Sequence, residues 1–517
     1  MKEPAHSTTG SGNPEDSGFN RDQQHRTDHL KKNLAQRSVR GGLVTFTAKG
    51  LSFSLALLST MVLARLLTPR DFGLIALVAP VTGILGIFLE MGLSAATIQK
   101  VDITDRQIST LFWVNTAAGF FLMGVVALLA PGLAWFYQDQ RVLAITLALG
   151  TMFLVNGMAV QHRALLQRQM QFTRLAVIAI AAQATGVGTA IIMAWLGFNY
   201  WALVLNVVAA RVVEMLLLWT FSRWVPGRPS LTSGVGGLLR YGGFLTGFNI
   251  VNYISRNLDN VLIGKVWGPQ QLGFYSKAYS LLLVPIQQIN APAASVAVTG
   301  LSRLQSDPAR FRRYYLNYLS FIAMVTMPLS VFLLIMAGEV IRFVAGPQWA
   351  ESVPIFRLLA VSAFVQPIAN TSGWLYISTG QTRRMFYWGC GFSGMVVLAF
   401  LVGLPFGASG VALCYSIAML IALWPCIYFS TRGTSVAVSD VWRCVLKPLA
   451  AALLAGAVVW GVNVFLMNRL SWPFRLAGTA LVMVLVYAPL ILYAFGNIDL
   501  WKSIWRELRN SKAKTPA

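Results

Sequence analysis

The chain has 517 residues, of which 56% are hydrophobic and only 11% are charged, and its formal net charge is +23. Soluble domains carry about a quarter charged residues, so this composition excludes an ordinary soluble protein and indicates a lipid environment. Apolar runs of about twenty residues recur along the chain, which is the length of a membrane-crossing helix. The runs lack the alternating pattern of barrel strands, so the sequence predicts an all-α polytopic membrane protein.

The chain begins with a polar segment, residues 1–38, that is rich in Ser, Gly, Asp and Arg and has no apolar period, as disordered tails do. After it, length and hydropathy predict about fourteen membrane-spanning helices. Their approximate positions are 41–66, 72–98, 108–131, 142–162, 174–196, 200–222, 240–266, 271–298, 315–344, 350–378, 385–405, 408–430, 445–468 and 474–496. A basic tail follows the last predicted helix.

Lys and Arg residues of the loops predict the orientation of these helices, because cytoplasmic loops are enriched in basic residues. If the N-terminus is inside, the basic clusters within 163–174, 223–240, 303–313 and 383–384 all fall on the cytoplasmic side, as does the C-terminal tail. The sequence therefore predicts a multi-pass membrane protein with both termini cytoplasmic. The high net charge reflects this topology and does not indicate binding to nucleic acid.

One hairpin of the chain is repeated. Segment 63–73 recurs about 200 residues later as 263–273, with a basic residue, a proline and a glycine at the same relative positions. An even number of predicted helices separates the two copies, so they share an orientation. Duplicated halves around a central path are typical of transporters.

The repeat predicts two parallel six-helix bundles with two further helices after them. The predicted segments are a disordered cytoplasmic tail 1–38, an N-terminal six-helix bundle 39–222, a cytoplasmic linker 223–240, a C-terminal six-helix bundle 241–432, two additional transmembrane helices 433–498 and a basic cytoplasmic tail 499–517.

Charged and polar side chains within the predicted spans need a partner or a cavity, because a charge in lipid is unfavourable by about 2.5–3.5 kcal/mol. The seventh predicted span is the richest, with four such residues on one helical face. The candidate substrate-binding residues are Lys49, Arg211, Asn249, Tyr253, Arg256, Asn260, Lys277, Gln287 and Gln288. The candidates for binding a coupling ion, H⁺ or Na⁺, are Glu90, Glu214 and Asp259.

A purely structural interpretation exists for several of these residues. Arg211 with Glu214 and Arg256 with Asp259 are i,i+3 pairs that can neutralise each other. Glu90 and Lys277 lie within reach of an interface and can extend their charged ends to water. Lys49 has no acid within one turn, which favours an anionic ligand.

Signatures of catalysis are missing from the sequence. It contains no P-loop, HExxH, nucleophile elbow or metal-ligand cluster, and its four cysteines lack CxxC spacing. We therefore expect no catalytic residue, no metal and no cofactor apart from a coupling ion. Three of the four histidines fall in the N-terminal tail and His162 is expected in a loop, which leaves none for a proton relay in the membrane. No predicted outer loop exceeds about ten residues, so we expect no folded outer catalytic domain.

Several segments resemble the Wzx-type polysaccharide flippases, and in particular the branch that resembles the colanic acid exporter. The segments are Leu63–Leu74, Glu90–Ala96, Arg163–Phe172, Arg256–Tyr279 and Trp349–Leu359. The resemblance implies the fold of the multidrug/oligosaccharidyl-lipid/polysaccharide (MOP) superfamily, in which two six-helix bundles form a V.

The resemblance also implies a function. It implies a flippase of the bacterial cytoplasmic (inner) membrane that moves undecaprenyl-pyrophosphate-linked oligosaccharide repeat units across it by alternating access, for exopolysaccharide, capsule or lipopolysaccharide biosynthesis. The implied partners are this lipid-linked glycan, membrane lipid, and the polymerase and chain-length machinery of the same pathway. The alternatives are a drug or cation antiporter of the same superfamily, whose cavity would favour unpaired acids, and a membrane glycan polymerase or ligase.

Overall fold

The fold is described from a computed structural model of the chain, in which residues 34–89, 97–98, 103–230, 236–467 and 470–494 are described. Every regular element within these ranges is helical, which confirms the predicted all-α fold class. In chain order the helices are α1 (Leu34–Leu66), α2 (Pro69–Leu89), α3 (Asp105–Tyr137), α4 (Arg141–Arg168), α5 (Phe172–Trp195), α6 (Tyr200–Ser222), α7 (Gly236–Arg303), α8 (Pro308–Ile335), α9 (Ala337–Val344), α10 (Ser352–Ser378), α11 (Thr382–Gly403), α12 (Gly407–Thr431), α13 (Val438–Phe465) and α14 (Trp472–Pro489).

Twelve segments among the described residues are long and apolar enough to cross a membrane. Two of these segments contain an interruption. Helix α7 breaks at Gly268, whose φ of 78° is readily adopted only by glycine, and a 3₁₀ turn at Leu404–Phe406 separates α11 from α12. The prediction of a multi-span helical protein is therefore confirmed, whereas the number fourteen stays a prediction.

The sequence prediction was wrong for the segment between α8 and α10. Helix α8 ends at Ile335, although the predicted span continues to residue 344. The short helix α9 and a 3₁₀ turn at Pro347–Trp349 follow before α10 begins at Ser352. Helix α9 contains two charged residues, Glu339 and Arg342, and is otherwise apolar or small. Hydropathy alone therefore extends the preceding span into it. The connection 336–351 is thus longer than the about ten residues expected of an outer loop, and the side of the membrane on which it lies stays a prediction.

The chain divides into two compact units. The first comprises Met1–Ser59 and Val81–Ile250, and the second comprises Thr60–Pro80 and Val251–Ala517. The first repeated hairpin is thus grouped with the second unit. The domain boundaries predicted from the sequence stay predictions.

In the first unit, α3 and α4 pack closely because glycines remove the side chains that would separate them. A Cβ at Gly119 would meet the backbone of Phe153, and a Cβ at Gly157 would meet the backbone of Asn115. The segment after α6 is tied to the start of α3: the Trp224 indole donates to Asp105 Oδ1 at 2.7 Å, and the amide of Gly227 donates to Ser109 Oγ at 2.9 Å.

His162 lies in α4 and is fully buried, so the expectation that it lies in a loop was wrong. Its Nδ1 is 2.8 Å from Ser222 Oγ, and its ring centroid is 4.4 Å from that of Trp219 and 5.2 Å from that of Trp224. The polar sequence around it, Gln161 to Arg163, suggested a loop, but helix α4 continues through this segment to Arg168. One histidine is thus present within a candidate membrane-spanning helix.

In the second unit, the two repeated hairpins pack against each other reciprocally. A Cβ at Gly73 would meet the carbonyl oxygen of Pro269, and a Cβ at Gly273 would meet the carbonyl oxygen of Pro69. Equivalent residues of the sequence repeat therefore face each other across the contact. The glycines recur in the sequence because each allows the other copy's backbone to approach closely.

Candidate functional site

The first feature of the site is a buried carboxylate in the second hairpin. Asp259 precedes the break at Gly268 and Tyr275 follows it, and their side chains are 3% and 1% exposed. The Tyr275 hydroxyl donates a 2.8 Å hydrogen bond to Asp259 Oδ2, and the amide of Asn260 donates to Asp259 Oδ1 at 2.8 Å. A buried carboxylate requires such donors, because an unpaired charge in an apolar interior is strongly unfavourable.

The second feature is a buried cation two residues after Tyr275. Lys277 is 7% exposed and makes no salt bridge within the described part of the chain. Its Nζ lies 4.1 Å from the centroid of the Phe72 ring and 5.7 Å from that of the Trp349 ring. These distances are typical of cation–π contacts. Aromatic faces therefore stabilise this charge in the structure.

The internal repeat provides a comparison for these residues. The two copies of the hairpin are related by an offset of about 200 residues, which pairs Gly73 with Gly273. The same offset pairs three polar residues of the second copy with residues of the first copy: Asp259 with Ser59, Tyr275 with Ile75, and Lys277 with Leu77. The hairpin fold is thus built in the first copy without the carboxylate, the hydroxyl or the ammonium. The fold therefore does not require these three polar groups, which favours a functional role for them.

Further aromatic rings of the second unit adjoin this group. The Tyr275 and Tyr279 rings are stacked with centroids 6.1 Å apart, and Tyr279 contacts Tyr415 at 6.3 Å. Gln366 Nε2 donates a 3.2 Å hydrogen bond to the Tyr415 hydroxyl, and the Phe400 ring stacks on that of Tyr415 with centroids 5.7 Å apart. Helices α7, α10 and α12 thus contribute hydroxyl and amide groups to an aromatic group that begins at Tyr275, and α11 contributes the Phe400 ring.

The polar face predicted on the seventh span is partly engaged in the fold. The Tyr253 hydroxyl donates to the carbonyl oxygen of Ala79 at 3.1 Å. Arg256 is exposed and makes no salt bridge with any described residue. The structural alternative, an i,i+3 pair of Arg256 with Asp259, is not formed, and Tyr275 and the backbone donate to the carboxylate instead. Asn260 is half-buried beside it.

The first unit contains a separate charged group. Glu214 accepts from Arg163 Nη2 at 2.6 Å through one oxygen and from Arg211 Nη1 at 2.9 Å through the other. The predicted Arg211–Glu214 pair is confirmed. The contact with Arg163 was not predicted, because α4 and α6 are distant in the sequence.

The remaining predicted residues are either exposed or not described. Lys49, Gln287 and Gln288 are exposed on α1 and α7. Glu90 lies outside the described residues, and Asn249 lies in a helical stretch whose side chains are not described. Asn290 lies two residues after Gln288, and both polar atoms of its amide are buried without a partner among the described residues.

Sequence reasoning missed three residues of this site: Phe72, Tyr275 and Trp349 were not among the candidates. All three are aromatic residues in apolar surroundings, where core packing is the usual interpretation. The offset of the repeat provides a signal for Tyr275, because the first copy has Ile75 there. Within the described residues no group of three or more His, Cys, Asp or Glu could hold a metal ion.

Comparison with protein families places this arrangement in context. Residues 62–354 match a family described as polysaccharide biosynthesis protein. This range includes both repeated hairpins, Lys277 and Trp349.

Curated relatives cover most of the chain. A teichuronic acid biosynthesis protein, TuaB, of Bacillus subtilis (strain 168) is 27% identical over 79% of this chain and 86% of its own length. The lipopolysaccharide biosynthesis protein WzxC of Escherichia coli (strain K12) is 24% identical over 75% of this chain and 80% of its own length. The succinoglycan biosynthesis transport protein ExoT of Rhizobium meliloti (strain 1021) is 24% identical over 65% of this chain and 68% of its own length.

Solved structures share the fold. A lipid II flippase, MurJ, in an inward closed conformation has a TM-score of 0.70 at 16% identity and covers 89% of this chain and 99% of its own. An inward-facing multidrug resistance transporter of the MATE family has a TM-score of 0.60 at 13% identity and covers 78% of this chain and 99% of its own. That transporter is of the MOP superfamily, so the MOP-type fold implied by the resemblance is confirmed.

Proposed function

The chain belongs to the polysaccharide biosynthesis protein family, and on this basis we propose that it is a flippase for lipid-linked oligosaccharides. Its cargo is an undecaprenyl-pyrophosphate-linked repeat unit of an exopolysaccharide, capsule or lipopolysaccharide. The protein carries this unit between the leaflets by alternating access and does no covalent chemistry on it. Relatives named for polysaccharide and lipopolysaccharide biosynthesis, and one named as a transport protein, support the proposal.

One observation carries the choice of cargo. Lys277 is a buried cation that no described carboxylate neutralises, and its position in the first hairpin copy is occupied by Leu77. A cation in a low-dielectric site favours an anionic ligand, and charge-assisted hydrogen bonds to phosphate are stronger than neutral ones. Arg256 provides a second basic group in the same unit. The hydroxyls and amides of Tyr415 and Gln366 suit a glycan.

The charge balance argues against a cation antiporter. Such a protein needs acids that are free to bind cations. Among the described candidates, Asp259 accepts from Tyr275, and Glu214 is neutralised by two arginines. Lys277 and Arg256 are basic and make no salt bridge with a described residue, which favours an anionic cargo.

The setting of the protein follows from the same proposal. We place it in the cytoplasmic (inner) membrane of a bacterium with both termini cytoplasmic, as the loop charges predict. Asp259, Glu214 and Glu90 stay the candidates for H⁺ or Na⁺ coupling. The polymerase and chain-length machinery of the pathway would receive the delivered unit.

Deletion of the gene in its host tests the proposal. We expect polymer export to stop, with intact lipid-linked repeat units accumulating unpolymerised in the inner leaflet and drug sensitivity unchanged. Expression of the wild-type chain from a plasmid should restore export. Continued export in the deletion strain, or a change in drug sensitivity alone, would contradict the proposal.

A further inference from the structure

The ammonium of Lys277 joins two parts of the chain that the repeat makes equivalent. Phe72 belongs to the first hairpin, whereas Lys277 belongs to the helix that follows the second hairpin. The 4.1 Å distance from Nζ to the Phe72 centroid therefore bridges the two hairpins. The reciprocal glycine contacts bring the hairpin backbones together, and the lysine adds a contact between side chains.

The Phe72 ring is held in place by neighbours within the same unit. Trp349 meets it edge to face, with centroids 5.3 Å apart and planes at 76°. The Trp349 indole donates a 2.8 Å hydrogen bond to the carbonyl oxygen of Ala64, and Gln348 Nε2 donates to that of Leu67 at 3.0 Å. The aromatic surface that receives the lysine is thus fixed to the first hairpin by the turn before α10.

The contact of the Lys277 ammonium with aromatic rings is weaker than a contact with a phosphate would be. A ring attracts a cation through its quadrupole, whereas a phosphate binds it by a charge-assisted hydrogen bond with full opposite charge. In a buried site the difference is large, because both interactions act in a low dielectric. A pyrophosphate that reaches Lys277 would therefore displace the ring.

We infer that Lys277 exchanges between the Phe72 ring and the pyrophosphate of the cargo, and that this exchange loosens the contact between the two hairpins. The inference rests on the proposed function, because it assigns to Lys277 the recognition of the cargo's pyrophosphate. The hairpins are held together by the aromatic contact when the site lacks the anion. Binding of the anion removes that contact and favours their separation.

The exchange predicts an unusual effect on affinity. Because the ring competes with the anion, Phe72→Leu should bind undecaprenyl pyrophosphate more tightly than wild type, by about 2- to 30-fold. Leucine suits the site because Leu272 occupies the equivalent position of the second hairpin. Lys277→Met should lose at least about tenfold in affinity through loss of the charge-assisted contact, whereas Lys277→Arg should retain binding.

Binding is measured on the full chain in lipid nanodiscs, with undecaprenyl pyrophosphate as the probe and undecaprenol as the uncharged comparison. Phe120→Leu and Lys447→Met are the matched controls, because both residues are exposed and belong to neither hairpin. Thermal melting verifies that each variant is folded. A folded Phe72→Leu variant with unchanged or weaker affinity would overturn the inference, as would wild-type affinity in Lys277→Met.

A second measurement uses the separation of the hairpins themselves. Leu66 and Val266 are equivalent residues at the two hairpin tips, are 45% and 56% exposed, and accept spin labels as a cysteine pair after the four native cysteines are replaced. Undecaprenyl pyrophosphate should shift the distance distribution of the wild-type background towards longer values. It should have no such effect in Lys277→Met. An unchanged distribution at saturating probe would overturn the inference even if Phe72→Leu fails to fold.

The two proposals fail in different ways. If deletion stops export but Phe72→Leu behaves like Phe120→Leu, the exchange is wrong and the flippase stands. If deletion leaves export intact while the purified chain shows the predicted gain in affinity, the anion-binding lysine stands and the transport proposal is wrong.

Discussion

Tyr275 donates a 2.8 Å hydrogen bond to the carboxylate of Asp259, and the two residues lie on opposite sides of the break at Gly268. The pair thus connects the two halves of α7 through a buried polar contact. The first hairpin copy, with Ser59 and Ile75, lacks it. The contact therefore distinguishes the two copies of an otherwise shared hairpin.

Removing the donor should destabilise the protein more than removing the charge. Tyr275→Phe leaves a buried carboxylate with one donor fewer, for an expected loss of about 1.5–3 kcal/mol of stability. Asp259→Asn still accepts from the tyrosine, so it should remain folded but export less polymer if Asp259 binds the coupling ion. Thermal melting and export assays measure the two effects.

Tyr376→Phe is the matched control for this pair, because the Tyr376 hydroxyl is buried and has no hydrogen-bond partner among the described residues. We expect it to leave the melting temperature almost unchanged. Full export from a folded Asp259→Asn variant would exclude that carboxylate from ion coupling.

The facing glycines should tolerate no side chain. Gly73→Ala and Gly273→Ala each place a methyl group against a proline carbonyl of the other hairpin, with an expected loss of about 1–3 kcal/mol or more. Gly373→Ala in α10 meets no atom within 4 Å and should stabilise its helix by roughly 0.5–1 kcal/mol. The melting temperatures of the three purified variants provide the measurement. Equal values for all three would show that the hairpins do not pack closely.

Arg256 should be needed for export and not for folding. It is exposed and makes no salt bridge with a described residue, so Arg256→Ala removes no contact of that kind from the fold. We expect the variant to accumulate normally in the membrane but to lose at least about tenfold in export, because a charge-assisted contact to the cargo is lost. Arg310→Ala, at a side chain that is 77% exposed, is the control. Full export from Arg256→Ala would remove this residue from the site.

The segment after α6 should depend on one tryptophan. Trp224→Phe keeps a ring near His162 but loses the 2.7 Å hydrogen bond to Asp105, with an expected loss of about 1–3 kcal/mol. Limited proteolysis should then cut the segment after α6 faster. Trp195→Phe is the control, because Trp195 is 80% exposed. Equal cleavage of both variants and wild type would show that the indole does not hold the segment.

Features with a local or periodic signal were predictable from the sequence. Hydropathy revealed the helices, the repeated proline and glycine revealed the duplication of the hairpin, and i,i+3 spacing revealed the Arg211–Glu214 contact. The same spacing failed for Arg256 and Asp259, because a tyrosine from beyond the break satisfies the carboxylate. Local spacing reports which residues can meet on one helix and says nothing of competing partners from another.

Contacts between residues that are distant in the sequence could not be predicted in this way. Lys277 with Phe72 joins residues from different copies of the repeat, and Glu214 with Arg163 joins two helices. Tertiary packing determines these pairs, and a single sequence carries no periodic signal of them. His162 shows that local polarity can also mislead. The polar stretch around it was interpreted as a loop, although α4 continues through this stretch and the His162 ring packs against Trp219.

The central claim is that this chain moves a lipid-linked glycan between leaflets, and reconstitution tests it most directly. The purified protein is placed in liposomes that contain an undecaprenyl-pyrophosphate-linked oligosaccharide with a dithionite-sensitive fluorophore on the sugar, and an H⁺ or Na⁺ gradient is imposed. We expect dithionite to bleach more fluorophore in these liposomes than in protein-free ones, and bleaching by Lys277→Met to fall back towards the protein-free extent. Equal bleaching with and without the wild-type protein, under both gradients, would contradict the claim.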